Sequence, residues 1–318
     1  MLRRKVVYSV LEAISIAVAS VFYIATIVTN ALAGVTVGNG QYGFENQTGR
    51  VSDKYNTEVT PAGWAFSIWG VIYTWQALWL IYAWSFVFRP NVPRTISIAT
   101  YWLFSLSCVF NITWIYLWGN EFVIAALPFI ILIHWALILS LSFTAWQTYK
   151  KTDSLFANNW RKADLWATRI LVHNGLAFYI AWLSVAWLLN VTIAAQYSGG
   201  MSSVDAATLG LSLLLVEIVI WFVLDVTVLD RFTRYIQSNY IVLIIALGAV
   251  ISAHWFNENQ DIRNRAFALA LLILVIVLQI SKILLTVLYA FARHIKFPKA
   301  TPGSKSSEKE NKVSYNAV

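Results

Sequence analysis

Charge is what this sequence has least of. Only 12% of its 318 residues are Asp, Glu, Lys or Arg, about half the ~25% of an ordinary soluble domain. That scarcity excludes a water-exposed enzyme and a disordered chain alike. Cysteine is nearly missing too: Cys108 stands alone, so there is no intrachain disulfide and no thiolate set for a metal. The histidines His134, His173, His254 and His294 are scattered without His-x-x-His or carboxylate spacing, and no metal site is expected. Glycine-rich phosphate loops, nucleophile elbows and zinc-protease motifs are absent, so no catalytic residue suggests itself.

What is present is apolar: 59% of the residues are hydrophobic, with a mean hydropathy of +0.64. The apolar residues fall into eight runs: Val6–Gly34, Ala62–Phe88, Thr95–Trp118, Phe122–Tyr149, Leu165–Ala195, Ala206–Leu229, Ile236–Phe256 and Ala266–Ala292. Each is long enough to cross a bilayer core, which takes roughly 18–20 helical residues. They are too long and continuous for the alternating strands of a barrel, and only helices then satisfy their own backbone in lipid. The sequence therefore predicts an all-α, polytopic membrane helical bundle of about eight transmembrane helices. The first span follows a basic Met1–Lys5 segment and is too long for a signal-peptide core, so it reads as uncleaved. The segment after Arg293 is rich in Lys, Ser, Glu and Pro and reads as a disordered basic tail.

The net charge of +8 is explained by topology, and nucleic acid is not an expected partner. Basic residues gather on one side of the bundle, which places both termini in the cytoplasm. The loop Val35–Pro61 is then external and carries the sequon Asn46-Gln47-Thr48, so glycosylation is expected at Asn46.

Of 16 Trp, 14 lie between Trp64 and Trp187. Some mark span ends, as interfacial Trp does. Others lie deeper and share helix faces at ~100° per residue. Phe66, Trp69, Tyr73, Gln76 and Trp84 share one face; Ser107, Asn111, Trp114 and Trp118 a second; Tyr179, Trp182, Ala186 and Asn190 a third. Such faces serve either packing with interhelical hydrogen bonds or a pocket for a flat, mostly apolar ligand.

The stretch from Asn56 to Tyr73, with Pro61, Trp64, Phe66, Trp69 and Tyr73, resembles the loop-to-second-helix signature of the TspO/MBR family of translocator and tryptophan-rich sensory proteins. Asn111 with Trp114 resembles the family's third helix. Tyr179, Trp182, Ala186, Leu189 and Asn190 match its fifth-helix pattern Tyr-x-x-Trp-x-x-x-Ala-x-x-Leu-Asn. The resemblance spans the first five runs and is closest to an extended branch of the family. It implies a five-helix domain over 1–196 with a pocket closed by the first loop. Residues 197–292 are then an added three-helix segment, and 293–318 the cytoplasmic tail. Family members bind porphyrins and, in animals, cholesterol. Two departures stand out: Phe178 sits where the family often has Pro, and Tyr197 is followed by Ser-Gly-Gly-Met rather than by the basic residue of the family's cholesterol motif.

The expected function is a sensor or carrier for a flat hydrophobic ligand, porphyrin or sterol-like. The residues expected to bind it are Trp64, Phe66, Trp69, Tyr73, Asn111, Trp114, Tyr179, Trp182 and Asn190. No cofactor is expected beyond a porphyrin or haem bound as ligand. Partners are the lipid bilayer, the hydrophobic small molecule and, by the resemblance, a second copy in a homodimer. Glycosylation favours the secretory pathway or plasma membrane over the mitochondrial outer membrane, where animal relatives reside. The alternatives are a secondary transporter and a light-dependent porphyrin-modifying enzyme. Glu12, Glu217, Asp225 and Lys282 are ionisable residues inside apolar runs and so functional candidates by default. Glu12 is near enough to its span end to reach the cytoplasmic interface, and the transporter reading rests on Glu217, Asp225 and Lys282 of the later runs. Counted from span ends, Glu217 and Lys282 lie at similar depth, which predicts an ion pair between them, and Asp225 shares the Glu217 stripe. They form either a structural ion pair or a proton path.

Overall fold

The computed structural model describes residues 2–156, 159–256 and 261–296. Its order is α1 (Leu2–Val35), α2 (Thr48–Lys54), α3 (Ile68–Phe88), α4 (Ile98–Gly119), α5 (Val123–Phe156), α6 (Asn159–Ala167), α7 (Asn174–Tyr197), α8 (Ser203–Val226), α9 (Asp230–Thr233), α10 (Ser238–His254) and α11 (Ile262–Lys296). No strand occurs among the described residues. The protein is an integral, multi-pass membrane protein, a polytopic bundle of helices. Seven of them are long and apolar enough to cross a membrane. The eighth expected span, Ile236–Phe256, is corrected to a helix of 17 residues, Ser238–His254. At ~1.5 Å per residue it falls short of a ~30 Å hydrocarbon core. The expected tail begins later than Arg293: α11 continues to Lys296, and 297–318 lie outside the described residues.

Hydroxyls in these helices turn back onto their own backbone. In α1, Ser15, Ser20, Thr26 and Thr29 each donate to the carbonyl four residues earlier, at 2.8–2.9 Å. This satisfies a polar side chain in surroundings without water.

The axis of the bundle is α7. Of the apolar window in Arg161–Tyr197, 67% is buried, against 28% for the spans of α8 and α11. It packs against α3, α5, α8 and α10. Small residues allow these approaches: a Cβ on Gly175 would lie 2.8 Å from the Trp75 ring, and one on Gly210 of α8 would collide with Thr192 of α7. Between α6 and α7 the helix widens into a π turn, Thr168–His173, the kind of bulge that exposes backbone groups to side-chain partners. Asn174, next in line, donates to Arg169 O and Tyr235 O, both at 2.9 Å. Its Oδ1 accepts from the N–H groups of Gln237 and Ser238. The start of α10 has no cap from its own side chains, and an amide of α7 supplies one.

Asp225, Lys282 and Glu12 are paired, though not as expected. Lys282 Nζ meets Asp225 Oδ1 at 2.8 Å with both side chains 1% exposed, and Tyr240 donates to Asp225 Oδ2 at 2.8 Å. The expected Glu217–Lys282 pair does not form. Helix ends are poor rulers here: α8 stops at Val226 while α11 runs on to Lys296, so Lys282 docks two turns further along α8. Glu12, also buried, is held by Arg94 at 2.6 Å.

Removing one member of a buried pair strands the other charge, at about 3–5 kcal/mol. Lys282→Met should therefore lower the thermal midpoint of the detergent-solubilised protein by several degrees. Lys282→Met combined with Asp225→Leu should recover part of that loss, read by size-exclusion chromatography after graded heating.

Candidate functional site

The loop after α1 folds back on itself before covering the bundle. Gly38 has φ +94°, and a Cβ there would lie 2.7 Å from the Glu45 carbonyl. The turn delivers Phe44, 2% exposed, onto the end of α4, where a Cβ on Gly119 would lie 2.6 Å from its ring. Asn46 N–H then donates to Gly119 O at 2.9 Å, and Trp118 Nε1 donates to Thr48 O at 3.1 Å. Glu121, itself at φ +63°, accepts from Asn46 Nδ2 at 2.7 Å and pairs with Lys54. The hydrogen bond to the Glu121 carboxylate holds the Lys54 ammonium above its ordinary pKa. The amide nitrogen that a glycan on Asn46 would occupy is thus engaged in closing the loop.

The far half of the same loop is tied to later helices. Tyr197 OH donates to Asn56 O at 2.8 Å, and its ring meets Tyr55 edge-on. Asn264 of α11 donates to Glu58 Oε2 at 2.7 Å, and His254 of α10 bonds Thr60 O at 2.7 Å. The loop is a lid, fastened to α4 at one side and to α7, α10 and α11 at the other.

Beneath it lies a cavity walled by Thr48, Ser52 and Pro61 of the lid and by Phe66, Trp69, Trp114, Trp118, Trp182 and Asn190 among others. Trp69 is its centre. It stacks on Tyr73 at 5.6 Å, lies 6.3 Å from Trp114 and meets Tyr179 and Trp182 edge-on at 5.9 and 6.2 Å. Phe66 meets Trp182 edge-on, and Trp114 stacks on Trp118. Below them Asn111 donates to Tyr179 OH at 3.0 Å and accepts from Asn30 at 2.7 Å. Three cavity-lining side chains, each buried, leave a polar atom unpartnered: Trp114 Nε1, Trp182 Nε1 and Asn190 Oδ1. Buried polar atoms are nearly always hydrogen-bonded, so the wall of this one space holds residues with two donors and an acceptor to spare.

Six of the nine residues singled out for ligand, from Phe66 to Trp182, form one aromatic cluster; Asn111 lies under it and Asn190 in its wall. Trp64 does not join them. It is 55% exposed on a 3-10 turn, Gly63–Ser67, whose three residues per turn rotate it off the α-helical face. Gln76 and Trp84 leave the face as well: Gln76 bonds Gly175 O and Trp79, and Trp84 bonds Ser20. Trp118, which ends the expected span and shares the face of Asn111 and Trp114, is buried and hooks the lid. Glu121 has no signal of its own, because loop residues follow no period. Among the described residues no group of His, Cys, Asp and Glu could hold a metal.

The cavity is about 40 Å3, enough for a few waters and far below the ~300–1,000 Å3 of a drug-sized pocket. A second, apolar cavity of about 30 Å3 between α7, α8 and α10 shares the walls Val185 and Leu189 with it. A large ligand enters only if the lid moves.

Glu121→Ala removes a charge-assisted hydrogen bond from the lid, worth roughly 1.5–3 kcal/mol. Amide hydrogen exchange in 46–55 should speed up about tenfold or more, with exchange in α7 unchanged. Equal exchange in both proteins would mean that Phe44 and the bonds to Gly119 O and Thr48 O close the lid without Glu121.

No curated protein and no solved structure matches the chain. The family described as TSPO-like protein matches residues 16–279, from α1 into α11, and so takes in α8 and α10 as well as the first five spans. The motifs on α3, α4 and α7 that meet around Trp69 lie within that match, and the chain belongs to the TSPO-like protein family.

Proposed function

We propose that the protein is a membrane sensor or carrier that holds a flat hydrophobic ligand, porphyrin or sterol-like, between the lid and the Trp69 cluster. The observation that carries this reading is that Trp114, Trp182 and Asn190, each with a buried polar atom that has no partner, all wall one aromatic cavity. Rings supply apolar area with little conformational entropy to lose, and sparse polar atoms set orientation. Family membership supports a membrane ligand-binding or sensing role. The small resting cavity makes binding an opening event. The latch is suited to that, since its ion pair joins a half-exposed Lys54 to Glu121 near the surface, where such pairs are weak.

The test is titration of the purified protein with protoporphyrin IX, followed by tryptophan fluorescence and porphyrin absorbance. Saturable quenching is expected. Trp69→Ala should raise Kd about tenfold or more, as loss of a central aromatic contact does, and Asn111→Ala should weaken binding too. Trp64→Ala, outside the cavity, should leave Kd unchanged. Displacement by cholesterol would assign the sterol to the same cavity. Lack of saturable binding of either compound by the folded protein would overturn the reading, and so would an unchanged Kd in Trp69→Ala.

A further inference from the structure

Glu217 is the buried acid left without its expected partner, Lys282. It lies on α8, nine residues before the helix ends at Val226, about 13 Å along the axis and well inside the apolar span. Its neighbours come from two other helices. Ser184 of α7 donates to Oε1 at 2.5 Å, and His134 Nε2 of α5 stands 3.7 Å from the same oxygen. Oε2 is buried without a partner, His134 is 6% exposed, and the Glu217 side chain as a whole is 29% exposed. That exposure faces lipid, since Val216, Val219, Ile220 and Val223 around it are all exposed apolar residues of the same helix.

No fixed cation reaches this carboxyl group. On α11, Lys282 is bound to Asp225, two turns away, and Arg263 is bound to Asp205 at the far end of α8. On α9, Asp230 is paired with Arg234. On α7, Tyr179 is engaged with Asn111. The imidazole of His134 is the one titratable group facing Glu217 among the described residues.

We propose that Glu217 and His134 together bind a single proton inside the membrane, at a site completed by the Ser184 hydroxyl. The charge arithmetic selects one proton. With it the pair is neutral, either as carboxylic acid with imidazole or as carboxylate with imidazolium. Without it a lone anion remains, and with a second proton a lone cation, and either is costly at this depth. A buried acid and base whose protons are coupled titrate as a pair. The lipid-facing edge gives apolar reagents access, and the contact with Ser184, two residues from Trp182, joins the site to the helix that walls the cavity. The proposal is independent of which ligand the cavity takes.

The probe is dicyclohexylcarbodiimide, an apolar reagent that adds to protonated carboxyl groups, applied to the full-length protein in lipid nanodiscs across pH. Adducts are located by peptide mass spectrometry. Glu217 should be labelled at low and neutral pH, while Asp225, held by Lys282, should not. In His134→Leu the carboxylate loses its imidazole partner and keeps its proton longer, so the pH of half-labelling should rise by about one unit. Comparing variant with parent at each pH cancels the reagent's own pH dependence. If His134→Leu does not fold, His134→Gln is read by the same rule. An unlabelled Glu217 in the folded protein, or a half-labelling pH that does not move, would overturn the proposal.

Discussion

Everything around the Trp69 cavity hangs on Asn111. Its side chain is fully buried and joins three helices: it donates to Tyr179 OH on α7 and accepts from Asn30 on α1, while its own backbone belongs to α4. Lipid offers an amide no partner, so the helices must settle at the heights where these groups meet. Two more bonds hold the same level. Tyr23 of α1 donates to Tyr73 O of α3 at 2.6 Å, and Thr26 reaches Cys108 O of α4 at 3.4 Å. With four helices in register, Trp69, Trp114 and Trp182 come from three of them to a common depth.

That arrangement was largely legible in the sequence, because helices repeat. Trp69 with Tyr73, Asn111 with Trp114 and Tyr179 with Trp182 sit three or four residues apart, and an α-helix turns such spacing into a shared face. The reading failed where the period changed or where depth was inferred. Trp64 precedes Ile68, on a 3-10 turn, and so points elsewhere. Lys282 took Asp225 rather than Glu217 because docking between helices, not distance from a span end, sets the depth of a side chain. The lid was legible only as a loop: nothing in its composition says that Glu121 fastens it or that Phe44 fills the notch over Gly119.

The later helices are built into this site. The lid residues Glu58, Thr60 and Ala62 bond to Asn264, His254 and Ala249, and α10 begins under an amide that α7 holds out from its π turn. The helices α8 and α11 also bring two charged systems, Asp225 with Lys282 as a closed pair and Glu217 beside His134 as an open one. The closed pair holds the two helices together; the open one sits against the back of α7.

The fastening of the lid has a consequence in time. Glu58 meets Asn264 from 206 residues earlier in the chain, and Thr60 meets His254 from 194. Ribosomal synthesis at ~5–20 residues per second separates such partners by roughly 10–40 s. In the last part of that interval, after Tyr197 is made and before His254, the aromatic walls can already stand in the bilayer while their cover has only its α4 and α7 fastenings. The last fastening of the lid is therefore available only late in synthesis, and a chain interrupted before its final helix would lack the Asn264 bond to Glu58.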